Sequence, residues 1–389
     1  LEAQILRDWA SISNRPPGSA AKYLRKGGVN VFKRGLSVLL ALSFALVFYT
    51  APALAAGEEA DGLSLDQAVK MALERNRALK IQRLAVDKST EQLDDLRDTI
   101  KHVPATGVYI PEVSAVWSGF LQARAGERIA QKEFEYALQQ TVVDVKEKYY
   151  AVLSHARQVE LAETDLMIAR TKMNHARLKY RLGMLTQAEL LGMETQLKNA
   201  QSSLVTAQND LDQSYTELAM LTGLNENDRP ELKDETVFEE AQFTSLDAVL
   251  ARALSQNHSV WAAEQAALVA KRVREHAANY EVGAIEAKIK DIEAGSAREQ
   301  VRAQVKLLYL TLQGLEKAHA TLEQKVAVCE EALRVARIQQ EVGLATVLQV
   351  QEAEAACNEA VKDLRQLVYS YDQAKSQLEI LTGKDIIPA

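Results

Sequence analysis

From Leu190 onward the apolar and small residues fall at Leu190, Met193, Leu197, Ala200, Leu204, Ala207, Leu211, Ser214, Leu218 and Leu221, in steps of three and four that alternate without a slip. A seam of that period predicts a helix paired in a left-handed coiled coil. Arg181-Leu182-Gly183-Met184-Leu185-Thr186 precedes it, and Leu221-Thr222-Gly223 closes it with a glycine suited to a helix C-terminus. The whole pattern returns 160 residues later. Glu341-Val342-Gly343-Leu344-Ala345-Thr346 leads into Val350, Ala353, Cys357, Ala360, Leu364, Leu367, Tyr371, Ala374, Leu378 and Leu381, and Leu381-Thr382-Gly383 ends it. Ahead of the first turn a second seam runs through Val142, Val145, Tyr149, Val152, Ala156, Val159, Ala162, Leu166, Ala169, Met173, Ala176 and Tyr180. It predicts one continuous helix from about Leu121 to Leu182. The chain reads as two copies of a long antiparallel helical hairpin, a repeat too long for a solenoid.

The earlier part of each copy predicts two further helices. Ser64-Leu65-Asp66-Gln67 opens a short amphipathic helix that ends at Asn76, with Ser64 as N-cap, and Ser245-Leu246-Asp247 opens its twin, which ends at Asn257. The next helix is expected from about Arg77 to Ile100 and from about Ser259 to Tyr280. The spacing between twins is 181 residues here and 160 later, so copy one holds 21 extra residues. They are assigned to Lys101–Leu121, which contains a strand-like run from Val113 to Trp117. Copy two is expected to turn at Glu281-Val282-Gly283, in preference to Gly295. Residues 224–243, with Pro230 and an acidic run, are expected to be a solvated connector. The fold class is therefore all-α: two tandem long coiled-coil hairpins, residues 63–223 and 244–386, with little or no β structure.

Composition agrees with long helices. Aromatic residues are only 6% of the chain, and none of the seven prolines lies between Pro111 and Pro230 or between Pro230 and Pro388. Lys33-Arg34, an apolar run from Leu36 to Tyr49 and then Ala53-Leu54-Ala55 read as a signal peptide over residues 29–56, with residues 1–28 as an upstream extension. Residues 1–56 carry seven Lys/Arg and two Asp/Glu, so their removal takes the formal charge from −7 to −12. An acidic exported protein is a poor partner for nucleic acid. The six histidines show no metal spacing, and no phosphate loop or nucleophile elbow occurs, so neither an enzyme nor a cofactor is expected. Cys329 lies 14 residues before Gly343 and Cys357 lies 14 after it. A hairpin turning at Gly343 should bring them face to face, as buried thiols or as a disulfide.

In this order and duplication the chain resembles the TolC-like outer-membrane efflux family. The features that carry the resemblance are the signal peptide, Leu63-Ser64-Leu65-Asp66-Gln67-Ala68 with Asn76, Tyr180-x-x-Gly183 at a hairpin tip, Leu221-Thr222-Gly223, and the repetition of the set. The resemblance implies a homotrimeric barrel of twelve helices, exported to the periplasm and associated with the outer membrane. Its tips would meet a periplasmic adaptor fed by an inner-membrane transporter. It assigns docking to Gly183, Thr186, Gly343 and Thr346. It assigns a possible duct constriction to Glu189, Gln349 and Glu352, since relatives place acids six and nine residues past each tip glycine. The chain departs from the family in one respect. Relatives insert two membrane strands after the second helix of each copy, whereas copy two here has room for none and copy one for one at most.

Overall fold

The seam residues of the two late helices are all buried or half-buried, and each seam lies against the long helix before it. In the computed structural model, which describes residues 62–101, 111–225, 227–233, 236–241, 245–277 and 279–387, eight α-helices follow one another. These are α1 (Leu65–Arg75), α2 (Arg77–Ile100), α3 (Pro111–Arg181), α4 (Gln187–Thr222), α5 (Leu246–Gln256), α6 (His258–Val273), α7 (Tyr280–Glu341) and α8 (Val347–Leu381). The expected signal peptide and upstream extension lie outside the described residues. Among those described, β structure is limited to one isolated bridge, and no helix is long and apolar enough to cross a membrane.

At about 1.5 Å per residue, the 71 residues of α3 extend about 107 Å and the 62 residues of α7 about 93 Å. These two are the spines. Helix α3 packs against α4 along the tip-side part of its length and also against α2; α7 does the same with α8 and α6. The hairpins join through α3 and α8, so the long helices lie in the order α4, α3, α8, α7. Contacts along α3 and α8 step in opposite directions: Lys172–Glu352, Gln158–Lys362, Ser154–Gln366 and Lys146–Asp372. Helix α3 runs toward its tip and α8 runs away from the other, so both tips lie at the same end.

The duplication reaches the core. Ala68, Ala72, Val145, Val152 and Leu218 form one buried cluster, and Val249, Ala253, Val305, Leu312 and Leu378 occupy the corresponding places in a second. Each cluster seats a short helix (α1 or α5) against the middle of a spine. Burying a Val or Leu side chain contributes about 1.5–3 kcal/mol, so these clusters hold the short helices in place.

Two expectations change, and a third gains detail. Val113–Trp117 is helical: α3 begins at Pro111, where proline's fixed φ and missing N–H suit the first helical position. In copy two the long helix is already under way at Gly283, having started at Tyr280. Asn279 caps α7 by accepting hydrogen bonds from the Glu281 and Val282 amides at 3.0 and 3.3 Å. Gly283 lies inside the first turn of α7, where a Cβ would come within 3.1 Å of the Arg274 backbone, so its role is close packing. The connector is solvated as expected, with no described residue buried, and it is also tied down at points along its length. The Leu63 amide donates to the Glu231 carbonyl at 2.7 Å, and Lys233 donates back to Leu63 at 3.1 Å. The Tyr149 hydroxyl lies 2.7 Å from both the Leu63 and the Lys233 carbonyl oxygens. Further along, the Ala241 amide donates to the Tyr371 hydroxyl at 2.7 Å, and that hydroxyl donates to Glu316 at 2.8 Å.

Candidate functional site

Both tips are built alike from their sequence. Gly183 and Gly343 have φ of 72° and 77°, the left-handed conformation that an L side chain resists. That conformation lets the Met184 amide reach the Lys179 carbonyl at 2.9 Å and the Leu344 amide reach the Gln339 carbonyl at 2.8 Å, closing each ascending helix. Thr186 and Thr346 then cap the descending helices. Each threonine hydroxyl accepts from the amide three residues on at 3.3 Å, and the side chain there accepts from the threonine amide, Glu189 at 2.8 Å and Gln349 at 2.7 Å. The Thr186 amide and hydroxyl hold the Glu189 carboxyl below its usual range.

The three residues considered for a constriction thus have partners of their own. Glu189 and Gln349 complete caps, and Glu352 pairs with Lys172 of α3 at 2.7 Å. Cys329 and Cys357 are both free thiols, the first half-buried and the second buried.

Two sets of residues at the surface escaped the sequence reading. At the tips, Leu182 and Met184 are 64% and 71% exposed, and Val342 and Leu344 are 65% and 79% exposed. A turn lying in water is ordinarily polar, so an apolar pair around the turn glycine in both copies was the available signal. The second set lies on α7, where Val282, Ile285, Ile289, Ile292, Leu307, Leu310, Val328, Val335 and Ile338 are all exposed. They fall in three groups, residues 282–292 at steps of three and four, 307 and 310, and 328–338, which together make an interrupted apolar stripe on α7. The other outer helix, α4, exposes Leu191, Val205 and Met220.

The interface inside the chain, between α3 and α8, shows how two such helices join. Lys146 Nζ lies 2.9 Å from Asp372 Oδ2 and from Ser376 Oγ, the Tyr150 hydroxyl donates to Asp372 at 2.9 Å, and the Tyr150 ring stacks on Tyr369 with centroids 4.7 Å apart. Burial, and then the nearby Asp372 charge, push the Tyr150 hydroxyl well above its usual pKa and keep it a donor. The repeat places Lys306 and Leu310 on the outer face of α7 where α3 has Lys146 and Tyr150, and Asp212 on α4 where α8 has Asp372. Lys306 and Asp212 are exposed, and the Asp212 carboxylate pairs with Arg229 at 3.3 Å.

Duplicated long hairpins with both tips at one end define a class of tandem helical-hairpin proteins. The pattern of the family described as "Outer membrane efflux protein" fits residues 110–224 and again residues 271–384, together more than half of the chain, and the chain belongs to that family. No curated protein is similar enough to count as a relative. Among solved structures, the Campylobacter jejuni CmeC outer membrane channel is similar with a TM-score of 0.65 at 11% identity, over 92% of this chain and 94% of that one. The open state of the Neisseria gonorrhoeae MtrE outer membrane channel gives 0.62 at 16% identity, over 82% and 89%. The Vibrio cholerae outer membrane protein VceC gives 0.58 at 13% identity, over 82% and 96%. These likenesses are likenesses of fold. The family is one of transport proteins, and the chain is not an enzyme.

Proposed function

We propose that three copies of this chain close into a helical duct that carries material through the cell envelope, with the tips docked on a periplasmic adaptor that an inner-membrane transporter feeds. The observation that carries the reading is the interrupted apolar stripe of α7 set beside the filled seam between α3 and α8. If α7 of one copy meets α4 of the next as α3 meets α8, the contact is head-to-tail and closes a ring. Membership of the efflux family supports transport as the outcome. At the tips, Gly183, Thr186, Gly343 and Thr346 set the turn geometry and Leu182, Met184, Val342 and Leu344 supply the apolar contact. The constriction is placed at Glu189, Gln349 and Glu352. Because Lys172 offsets the charge of Glu352, selection for cations rests mainly on Glu189.

The link between α6 and α7 spans six residues, 274–279, and that between α2 and α3 spans ten, 101–110. A membrane strand takes about 9–11 residues, so α6 and α7 cannot have the usual strand pair between them. This favours a duct that reaches the outer membrane without building its own barrel there. It also gives weight to a second reading, a non-conducting envelope scaffold made of the same ring.

The pairing across copies can be tested by charge reversal. Lys306→Glu or Asp212→Lys alone sets like charges together at each joint and should weaken assembly on the order of tenfold or more. The double variant should restore it, as read from oligomer mass against concentration. Assembly indifferent to both single changes removes this interface.

A further inference from the structure

We infer that Cys329 and Cys357 are a disulfide-forming pair, a redox-controlled clip that fixes the two arms of the second hairpin to each other. The seam of α7 that faces α8 reads Leu315, His319, Leu322, Val326, Cys329, Leu333, Ala336, all half-buried and alternating four and three apart. The seam of α8 reads Val350, Ala353, Cys357, Ala360, Leu364, Leu367, Tyr371. The two are set in register at the far end, where Leu312, Leu315, Tyr371 and Ala374 share one core cluster. On either side of the cysteines Lys325 pairs with Asp363 at 2.8 Å and Arg337 with Glu354 at 3.4 Å. Counted from that shared core, with the ion pairs as diagonal contacts beside it, the layers are Leu322–Leu364, Val326–Ala360, Cys329–Cys357, Leu333–Ala353 and Ala336–Val350. The thiols therefore form a layer by themselves, between two layers that each contain an alanine.

Geometry favours bond formation. Helix axes lie about 8–10 Å apart in ordinary pairs, less where small residues pack, and each Cα stands about 2.3 Å from its axis. Two Cα atoms facing each other can then fall within the separation of about 7 Å that a disulfide spans. The first hairpin has Ala169 and Leu197 at the same two places, so the pair is peculiar to the second copy. Cys329, half-exposed, is the thiol that reacts first. Cys357 is buried, and burial raises its pKa, so it is the resolving thiol.

The oxidant is a small disulfide such as glutathione disulfide. The Cys329 thiolate attacks one of its sulfurs, forming a mixed disulfide and releasing one glutathione thiolate, which takes up the proton that Cys329 gave up. The Cys357 thiol then loses its proton and its sulfur attacks Cys329 Sγ, expelling a second glutathione. Two electrons pass from the cysteine sulfurs to the oxidant, and two reduced thiols leave.

The experiment uses the reduced, purified full-length protein treated with glutathione disulfide and measured by intact mass and peptide mapping. A loss of two hydrogens per chain, with a Cys329–Cys357 cross-linked peptide and no retained glutathione, is expected. Cys329→Ala, which copies Ala169 of the first hairpin, should leave Cys357 unreacted, whereas Cys357→Ala should stop at one glutathione on Cys329. A stable glutathione adduct in the unaltered protein, a bond between chains, or two thiols that stay unreacted until the protein unfolds would each overturn the inference.

Discussion

Thr186 and Thr346 hold equivalent places, yet one caps its helix with a carboxylate and the other with an amide. The sign of the pH dependence follows. Glu189 is held below its usual range in the folded protein, so its contribution to the cap is complete above the unfolded carboxylate pKa of about 4.3. It fades as pH falls below that value and is gone once pH passes the lower folded pKa. Gln349 does not titrate. Amide resonances of Thr186 and Glu189 should move on acidification from pH 7 to 3 while those of Thr346 and Gln349 stay, and equal movement at both tips would contradict this. Thr186→Ala should cost the α4 terminus about 1 kcal/mol. Replacing Gly183 or Gly343 by a β-branched residue should cost on the order of 1–2 kcal/mol through positive φ alone, because nothing lies within 4 Å of the added Cβ. That is small against four long packed helices, so folding should survive while adaptor-dependent export falls.

At the scale of the element, the exposed apolar pairs at the tips separate docking from stability. Changing Leu182, Met184, Val342 and Leu344 to serine should leave helicity and melting nearly unchanged, since each surface change is worth about 0.5 kcal/mol or less. Adaptor binding in pull-down and export in cells should drop together; full export in the quadruple variant would remove the tips from function. The helices themselves were largely legible because their signals are local. The period of the seam gave α4 and α8, and Thr186, Thr346, Ser64 and Ser245 marked helix starts. The start of α3 was not legible, since a run as short as Val113–Trp117, rich in β-branched and aromatic residues, fits a strand as well as a helix, and packing along α2 decides it. Gly283 misled for a related reason: a glycine can serve a turn or a close approach, and Arg274 shows which. The anchoring of the connector rests on the hydroxyl of Tyr215 in the helix just before it and on those of Tyr149 and Tyr371, set far away in sequence, and no local pattern announces such contacts. The tip turns of the candidate site were readable from glycine and threonine, whereas its apolar pairs became visible only as exposed surface.

For the whole molecule, the two outer helices and the exposed apolar residues of α7 are the surfaces that the proposed ring would use. A lone layer of four long helices leaves an apolar stripe on α7 in water, and association with further copies is the direct way to cover it. Conductance separates the two readings of the ring. A duct that conducts should show single-channel current once seated at a membrane with its partners, and a stable ring without current favours the scaffold. Both depend on the ring itself, so its stoichiometry is the decisive quantity. Light scattering or native mass spectrometry of the purified protein at micromolar concentration should give three chain masses in one species. A monodisperse monomer under those conditions would contradict the account.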